Sequence, residues 1–450
     1  MPGNGASAPA RVLHRACVPS CRSDERAGSF PVREGVMRPV TVVGGGFSGL
    51  ATAYYLSSAG IPVEIVEKRD RLGGLIATLQ TPHGAVETAA MAMRSSARLD
   101  ALCRDLGLRM VASARSFGRA RYIYRQGPRR WPLSPGESLA LVARFATATA
   151  RGARAPRSLE TVEEWSVRVL GGRATRWLVG PTLQGMYAGD PACLSASLVV
   201  GTPDRATRLE RKGAVAPAGG MQQLIDALEE RLRTRDVGIR LSVPARLNGS
   251  TPAVICTAAC DAATVLRDIA PAASQALSTI DMLPLVRITA FYPDEEAPKG
   301  RGVLFPRGGD TRALGVLFNT NVFPDRSEPY SETWIYGGAA DRGVVDLSDD
   351  ELAAALDRDR ELVCGRSVSP VARYIHRWRQ ALPHYDVQLE SVRARGFDLP
   401  TGVFLAGNYV TGIGLSMLLE QAAAVADRVG ELCKSGSDAK RVSARHPTPM

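Results

Sequence analysis

Val40-Thr41-Val42-Val43 runs straight into Gly44-Gly45-Gly46-Phe47-Ser48-Gly49 and then into Leu50-Ala51-Thr52-Ala53-Tyr54-Tyr55-Leu56. The first four residues form a short β-branched run that reads as a buried parallel strand. The next six fit Gly-x-Gly-x-x-Gly, and the apolar segment behind them predicts a helix that stops at Gly60. Strand, glycine turn and helix is the order a dinucleotide-binding unit requires. Gly44 permits the tight turn, Gly46 lets backbone approach a pyrophosphate, and Gly49 lets the helix pack close on the strand. The helix N-terminus adds free N–H groups and partial positive charge for the phosphates. Ile61-Pro62-Val63-Glu64-Ile65-Val66 predicts a second strand that ends at Glu67. A carboxylate there accepts hydrogen bonds from both ribose hydroxyls.

Around this unit lie 450 residues, enough for two or three domains at roughly 100–200 residues each. With 45% hydrophobic and 22% charged residues, the composition excludes a mostly disordered, collagenous or coiled-coil chain. The net charge is +11, carried by 51 Arg and only 5 Lys. Residues 1–36 and 434–450 hold +2 and +3 of it, and the remaining Arg are scattered singly. No zinc knuckle, basic zipper or repeat accompanies them, so no nucleic-acid partner is expected. Eight Cys, without CxxC spacing or a His cluster, read as reduced thiols and not as a metal site or disulfide framework. No stretch approaches the ~20 apolar residues of a membrane-spanning helix. Residues 1–36 have no apolar signal region and are expected to be a disordered, dispensable extension.

After Glu67 comes Lys68-Arg69-Asp70-Arg71-Leu72-Gly73-Gly74. An acid, an Arg four residues later and a Gly pair resemble the two-part fingerprint of the flavin-containing amine oxidase superfamily. Its second part runs along an extended FAD, so the resemblance implies FAD as cofactor. Further on, Glu160-Thr161-Val162-Glu163-Glu164-Trp165 opens a helix with a capping box of Thr161 and Glu164. Gly185-Met186-Tyr187-Ala188-Gly189-Asp190-Pro191, Gly219-Gly220-Met221, Trp378 with Pro383 and Tyr385, and Gly402-Val403-Phe404-Leu405-Ala406-Gly407-Asn408 follow in order. Taken together these segments, spread over about 38 to 433, are similar to the oxygen-dependent protoporphyrinogen oxidase family.

The resemblance implies an α/β fold. A discontinuous Rossmann-like FAD-binding domain would be built from 37–96, 205–275 and 371–433. A mainly helical subdomain would cover 97–180, with a strand near 119–124. An α+β substrate domain with a mixed or antiparallel sheet would take 181–204 and 276–370. Runs at 284–292, 302–306, 313–319 and 332–337 supply its strands, and Ser348 to Glu351 cap the helix that follows. A flexible tail would follow from 434.

For the site, the resemblance implies cofactor contacts from Gly44, Gly45, Gly46, Phe47, Ser48, Gly49, Glu67, Lys68, Arg71, Gly74, Leu75, Ala89, Ala245, Asn408, Ile413, Gly414 and Leu415. No metal is implied. The reaction implied is removal of six hydrogens from protoporphyrinogen IX, or the matching step on coproporphyrinogen III, with O₂ reoxidising the flavin. A large apolar macrocycle with propionates asks for aliphatic walls and Arg anchors. Arg121 matches the family's carboxylate-binding Arg, Arg301 is a second candidate, and Gly185, Leu304 and Ile335 match wall positions. No general base stands out, so the flavin carries the chemistry. A homodimer and a cytoplasmic location, peripheral to the cytoplasmic membrane, are also implied.

Several positions depart from the family pattern. Glu87-Thr88-Ala89-Ala90 replaces a Gly-Pro pair beside the flavin, Gln388-Leu389 replaces Gly-His, and the last helix reads Glu420-Gln421-Ala422. They leave the choice of substrate open. An isoprenoid desaturase, an amine oxidase, or a flavin-binding protein without catalysis remain alternatives.

Overall fold

A computed structural model describes residues 38–114, 121–201, 213–293, 298–365 and 368–443. The extension expected over 1–36 lies outside them.

Two large sheets organise the chain. The first is a five-stranded parallel sheet in the order Gly238–Arg240, Val63–Val66, Val40–Val43, Ala253–Ile255 and Val403–Leu405. Its central strand is buried at every position, as a strand covered on both faces must be. Helix Phe47–Ser58 leaves that strand and packs against helices Gln222–Thr234 and Leu415–Ser443. Leu50, Leu56, Leu228 and Val429 meet in this core with no exposed surface. Each such side chain contributes about 1.5–3 kcal/mol of burial.

The second sheet has seven strands: Ala372–Pro383, Met282–Tyr292, Tyr330–Gly337, Gly315–Phe318, Gly302–Leu304, Tyr122–Tyr124 and Pro128–Arg129. Pairing is antiparallel except where Gly302–Leu304 runs parallel to Tyr122–Tyr124. Because side chains alternate across a strand, one face gathers Val286, Ile288, Phe305, Phe318, Trp334 and Tyr336 over Leu352 and Leu356 of helix Asp349–Cys364. Inside that layer Arg360 pairs with Glu332 at 3.3 Å, both side chains essentially inaccessible, and Trp334 donates to the same carboxylate at 2.8 Å. The opposite face carries Leu285, Arg287, Leu304 and Ile335, brought side by side by the register.

Both capping boxes form. Thr161 Oγ1 accepts from Glu164 N–H at 3.2 Å while Glu164 accepts from Thr161 N–H at 2.9 Å. Ser348 and Glu351 do the same at 3.2 and 2.8 Å.

Two boundaries need correction. Residues 372–383, assigned from sequence to the nucleotide-binding domain, form the edge strand of the seven-stranded sheet. The chain from 434, expected as a flexible tail, continues the last helix as far as Ser443.

Candidate active site

The glycine turn works as a set of backbone contacts. Gly44 has φ +101°, in the region that favours glycine, where it leaves the central strand. A Cβ on Gly49 would lie 1.8 Å from the Gly44 carbonyl oxygen, so only glycine lets the helix start this close to the strand. Gly46 precedes the helix with no side-chain cap and no acid in the first turn. That leaves the N-terminal positive end to another partner. The Gly73–Gly74 segment runs alongside, bridged to Gly46, and a Cβ on Gly74 would come within 3.0 Å of Gly46 Cα.

Glu67 closes this end. Its carboxylate, 6% exposed, accepts from Gly45 N–H at 2.6 Å and from Arg69 N–H at 2.8 Å. These bonds orient the carboxylate at the end of its strand. Lys68 donates to both oxygens of Asp261 at 2.6 and 2.7 Å.

A cavity of about 650 Å³ opens from these residues toward the seven-stranded sheet. Of the expected cofactor residues, Gly44, Gly46, Phe47, Ser48, Glu67, Lys68, Gly74, Leu75, Ala89, Ala245, Asn408, Ile413 and Leu415 line it. Four do not. Gly45 and Gly49 serve packing: a Cβ on Gly45 would meet Leu72 Cδ2 at 2.4 Å. Arg71 donates to the carbonyls of Leu72, Gly74 and Ile76 at 2.9–3.2 Å and so shapes the loop from behind. Gly414 begins the last helix, accepting from Met417 and Leu418 N–H.

Sequence reasoning missed Arg69, Asp261 and Met282, which also line the cavity, and gave Trp378 no cofactor role. Trp378 stacks under the Arg69 guanidinium at 5.4 Å and donates to the Thr88 carbonyl at 2.9 Å. The Trp378 segment was visible as a motif. Asp261 had no signal, because it meets Lys68 across 193 residues of chain.

A long groove with a glycine turn and helix N-terminus at one end and a strand-end carboxylate beside it fits the pyrophosphate and ribose of a dinucleotide. The family described as flavin containing amine oxidoreductase matches residues 47–429. The chain belongs to that family. The protein is an FAD-dependent oxidoreductase. Among curated relatives, the chloroplastic protoporphyrinogen oxidase of Oryza sativa is 27% identical over 512 aligned residues, covering 94% of this chain and 94% of the relative. The coproporphyrinogen III oxidase of Mycobacterium leprae is 29% identical, covering 86% of this chain and 96% of its own. A solved structure of a candidate protoporphyrinogen oxidase from Exiguobacterium superposes with a TM-score of 0.70 at 20% identity. It spans 88% of this chain and 99% of that one, and the match shows the shared fold.

Within this flavoenzyme frame the expected substrate residues divide. Gly185, Leu304 and Ile335 come together: a Cβ on Gly185 would sit 2.3 Å from Leu304 Cδ2, and Gly315 joins Leu304 to Ile335 by cross-strand register. Leu304 and Ile335 keep partial exposure on the inward sheet face. None of these three, nor Arg121 or Arg301, lines the cavity itself. Arg121 is exposed at the entry to strand Tyr122–Tyr124. Arg301, offered as a second anchor, instead donates to Ser113 Oγ at 3.1 Å and the Ala114 carbonyl at 2.7 Å, tying two backbone segments together.

Among the described residues, Asp281, His384 and Asp386 form a group with metal-ligand composition. The two carboxylates are engaged elsewhere: Arg342 pairs with Asp281, and Asp386 caps helix Val387–Arg395 through Leu389 N–H at 2.8 Å. Burial pushes the Cys256 thiol up to about 12 and that of Cys103 up to about 11, which keeps both protonated. No helix among the described residues is long and apolar enough to cross a membrane.

Proposed function

We propose that the protein oxidises a porphyrinogen, protoporphyrinogen IX or coproporphyrinogen III, to the porphyrin, with O₂ as final electron acceptor. The observation that carries this reading is the near end-to-end match to relatives named for those two reactions. The joined apolar wall of Gly185, Leu304 and Ile335 supports it, since a macrocycle needs a broad aliphatic surface.

FAD supplies the hydride-accepting ring. The chain's own residues bind and orient it. The first turn of helix Phe47–Ser58 would receive the pyrophosphate and Glu67 the ribose hydroxyls, while Trp378 with Arg69 packs one edge of the groove. The two sheets flank the reaction space and restrict water, which favours hydride transfer over side reactions.

Peripheral contact with a lipid surface is part of the same reading. Helix Pro135–Ala150 buries none of its residues and exposes Leu139, Val142 and Phe145, with Trp131 exposed nearby. An apolar stripe of that kind suits an interface.

The test uses purified, FAD-loaded protein given protoporphyrinogen IX and then coproporphyrinogen III. Porphyrin fluorescence should rise, and without oxygen the yellow flavin should bleach. A flavin that stays oxidised with both substrates overturns the reading.

A further inference from the structure

One charged group on the inward face of the seven-stranded sheet has no part in the scheme above. Arg287 lies in strand Met282–Tyr292, whose sequence is otherwise almost wholly apolar. The register sets it between Ile335 on one neighbouring strand and His376 on the other. Trp378, the next residue on that face after His376, lines the cofactor cavity, and the two rings stand 4.5 Å apart.

Arg287 Nε and Nη2 are buried and have no hydrogen-bond partner among the described residues, and neither has His376 Nε2. Arg287 as a residue keeps partial exposure, whereas these two nitrogens have almost no free surface of their own. Burial pushes its guanidinium down to about 10, and Glu87 is the acid whose charge opposes this. Glu87 is already committed. One oxygen accepts from Met221 N–H at 2.9 Å and from Arg326 at 3.0 Å, and the other accepts from the Thr78 hydroxyl at 2.8 Å. Burial first, and then the charges of Arg71, Arg287 and Arg69, lower the proton affinity of His376. The patch is therefore cationic at Arg287, with unused guanidinium donors and no carboxylate free to meet them. Nε and Nη2 form one of the two-donor edges of a guanidinium, and the matching acceptor is a carboxylate held by both oxygens. An unpaired buried donor costs free energy that such a ligand restores.

We propose that Arg287, with His376 beside it, binds a carboxylate of the substrate on the sheet face between Trp378 and the Leu304–Ile335 wall. The identity of that substrate rests on the tetrapyrrole reading; the carboxylate chemistry rests on the sheet face alone.

The experiment uses the full-length, FAD-loaded protein and its Arg287→Gln and Arg287→Lys variants. The probes are coproporphyrin III, its tetramethyl ester, and benzoate. Binding is followed by porphyrin fluorescence quenching and by perturbation of the flavin absorbance. Arg287→Gln should weaken coproporphyrin III and benzoate about tenfold or more, Arg287→Lys should recover part of this, and the ester and the FAD content should be unchanged. Should Arg287→Gln fail to fold, Arg287→Met carries the same comparison.

Unchanged binding of the acids, equal loss of acid and ester, or loss of FAD in step with the acids each overturns the proposal. Absence of benzoate and coproporphyrin binding to the unaltered protein overturns it as well. If that protein binds benzoate through Arg287 but no porphyrin, the carboxylate site stands and the tetrapyrrole reading falls. If it binds both porphyrins and Arg287→Gln changes nothing, the reading stands and the site falls.

Discussion

The nucleotide groove and the inward face of the seven-stranded sheet are built on different scales. On the nucleotide side, residues 44–49 and 67–76 do their work within about thirty positions, through backbone contacts that tolerate almost no side chain. On the sheet side, Trp378, Arg287, Ile335 and Leu304 come from four separate strands and meet only through register. A local wall announces itself as a motif. A wall assembled by register is written as isolated residues in ordinary strands, so its chemistry emerges only after pairing is known.

That contrast can be broken most sharply at Gly49. A Val there would place Cβ 1.8 Å from the Gly44 carbonyl, an overlap that costs about 3 kcal/mol or more. FAD retention, read from the visible absorbance of the purified protein, should be lost. If Gly49→Val retains flavin, the nucleotide wall is less rigid than its contacts imply.

The largest effect on the opposite side should come from Arg360→Met. It leaves Glu332 buried without its cation, at a cost of about 3–5 kcal/mol. Chemical denaturation should show that loss, whereas the FAD affinity of the remaining folded protein should hardly move. A matching fall in flavin affinity would mean that the two walls are energetically one.

A smaller effect is expected at Glu67. Glu67→Gln removes the charge from an acceptor of two backbone N–H groups, and on the proposed reading from the acceptor of the cofactor ribose. About 1.5–3 kcal/mol per charged hydrogen bond corresponds to FAD binding weaker by about ten- to a hundredfold. Flavin fluorescence titration of the deflavinated protein measures it.

The mildest test concerns pH. The Ser134 N–H, Arg173 and Arg125 hold the Glu137 carboxyl down to about 2, against 4.5 ordinarily. With the folded value lowered, its stabilisation is present above 4.5 and is lost as pH falls through about 2. Glu137→Gln should therefore flatten the decline of Tm across that window. An unchanged slope would remove Glu137 as a contributor.

Legibility in the sequence follows the same division. The run from Val40 to Gly74 was readable because each requirement falls at a fixed spacing. The capping boxes at Thr161 and Ser348 were readable because a cap is decided within four residues. The strand Ala372–Pro383 was not, since most of its residues are only partly buried and no clean alternation marks it. Its pairing partner lies about 90 residues earlier. Arg301 misled for a related reason: an Arg before an apolar strand looks like an anchor until its guanidinium is seen on Ser113 and Ala114. Arg287 did leave a trace, as one cation inside a strand apolar on both faces. A solvent-facing strand would have alternated.

The order of strands in the parallel sheet has a consequence for how the protein is made. Val40–Val43 emerges early from the ribosome, yet its neighbour Ala253–Ile255 follows about two hundred residues later, and Val403–Leu405 later still. The cradle for FAD therefore cannot close during most of synthesis, and such long-range parallel pairing is slow to form. Until then the edge of the central strand that faces Ala253–Ile255 waits unpaired, exposed to aggregation. Flavin supply at the end of translation should thus govern how much of the protein reaches its folded state.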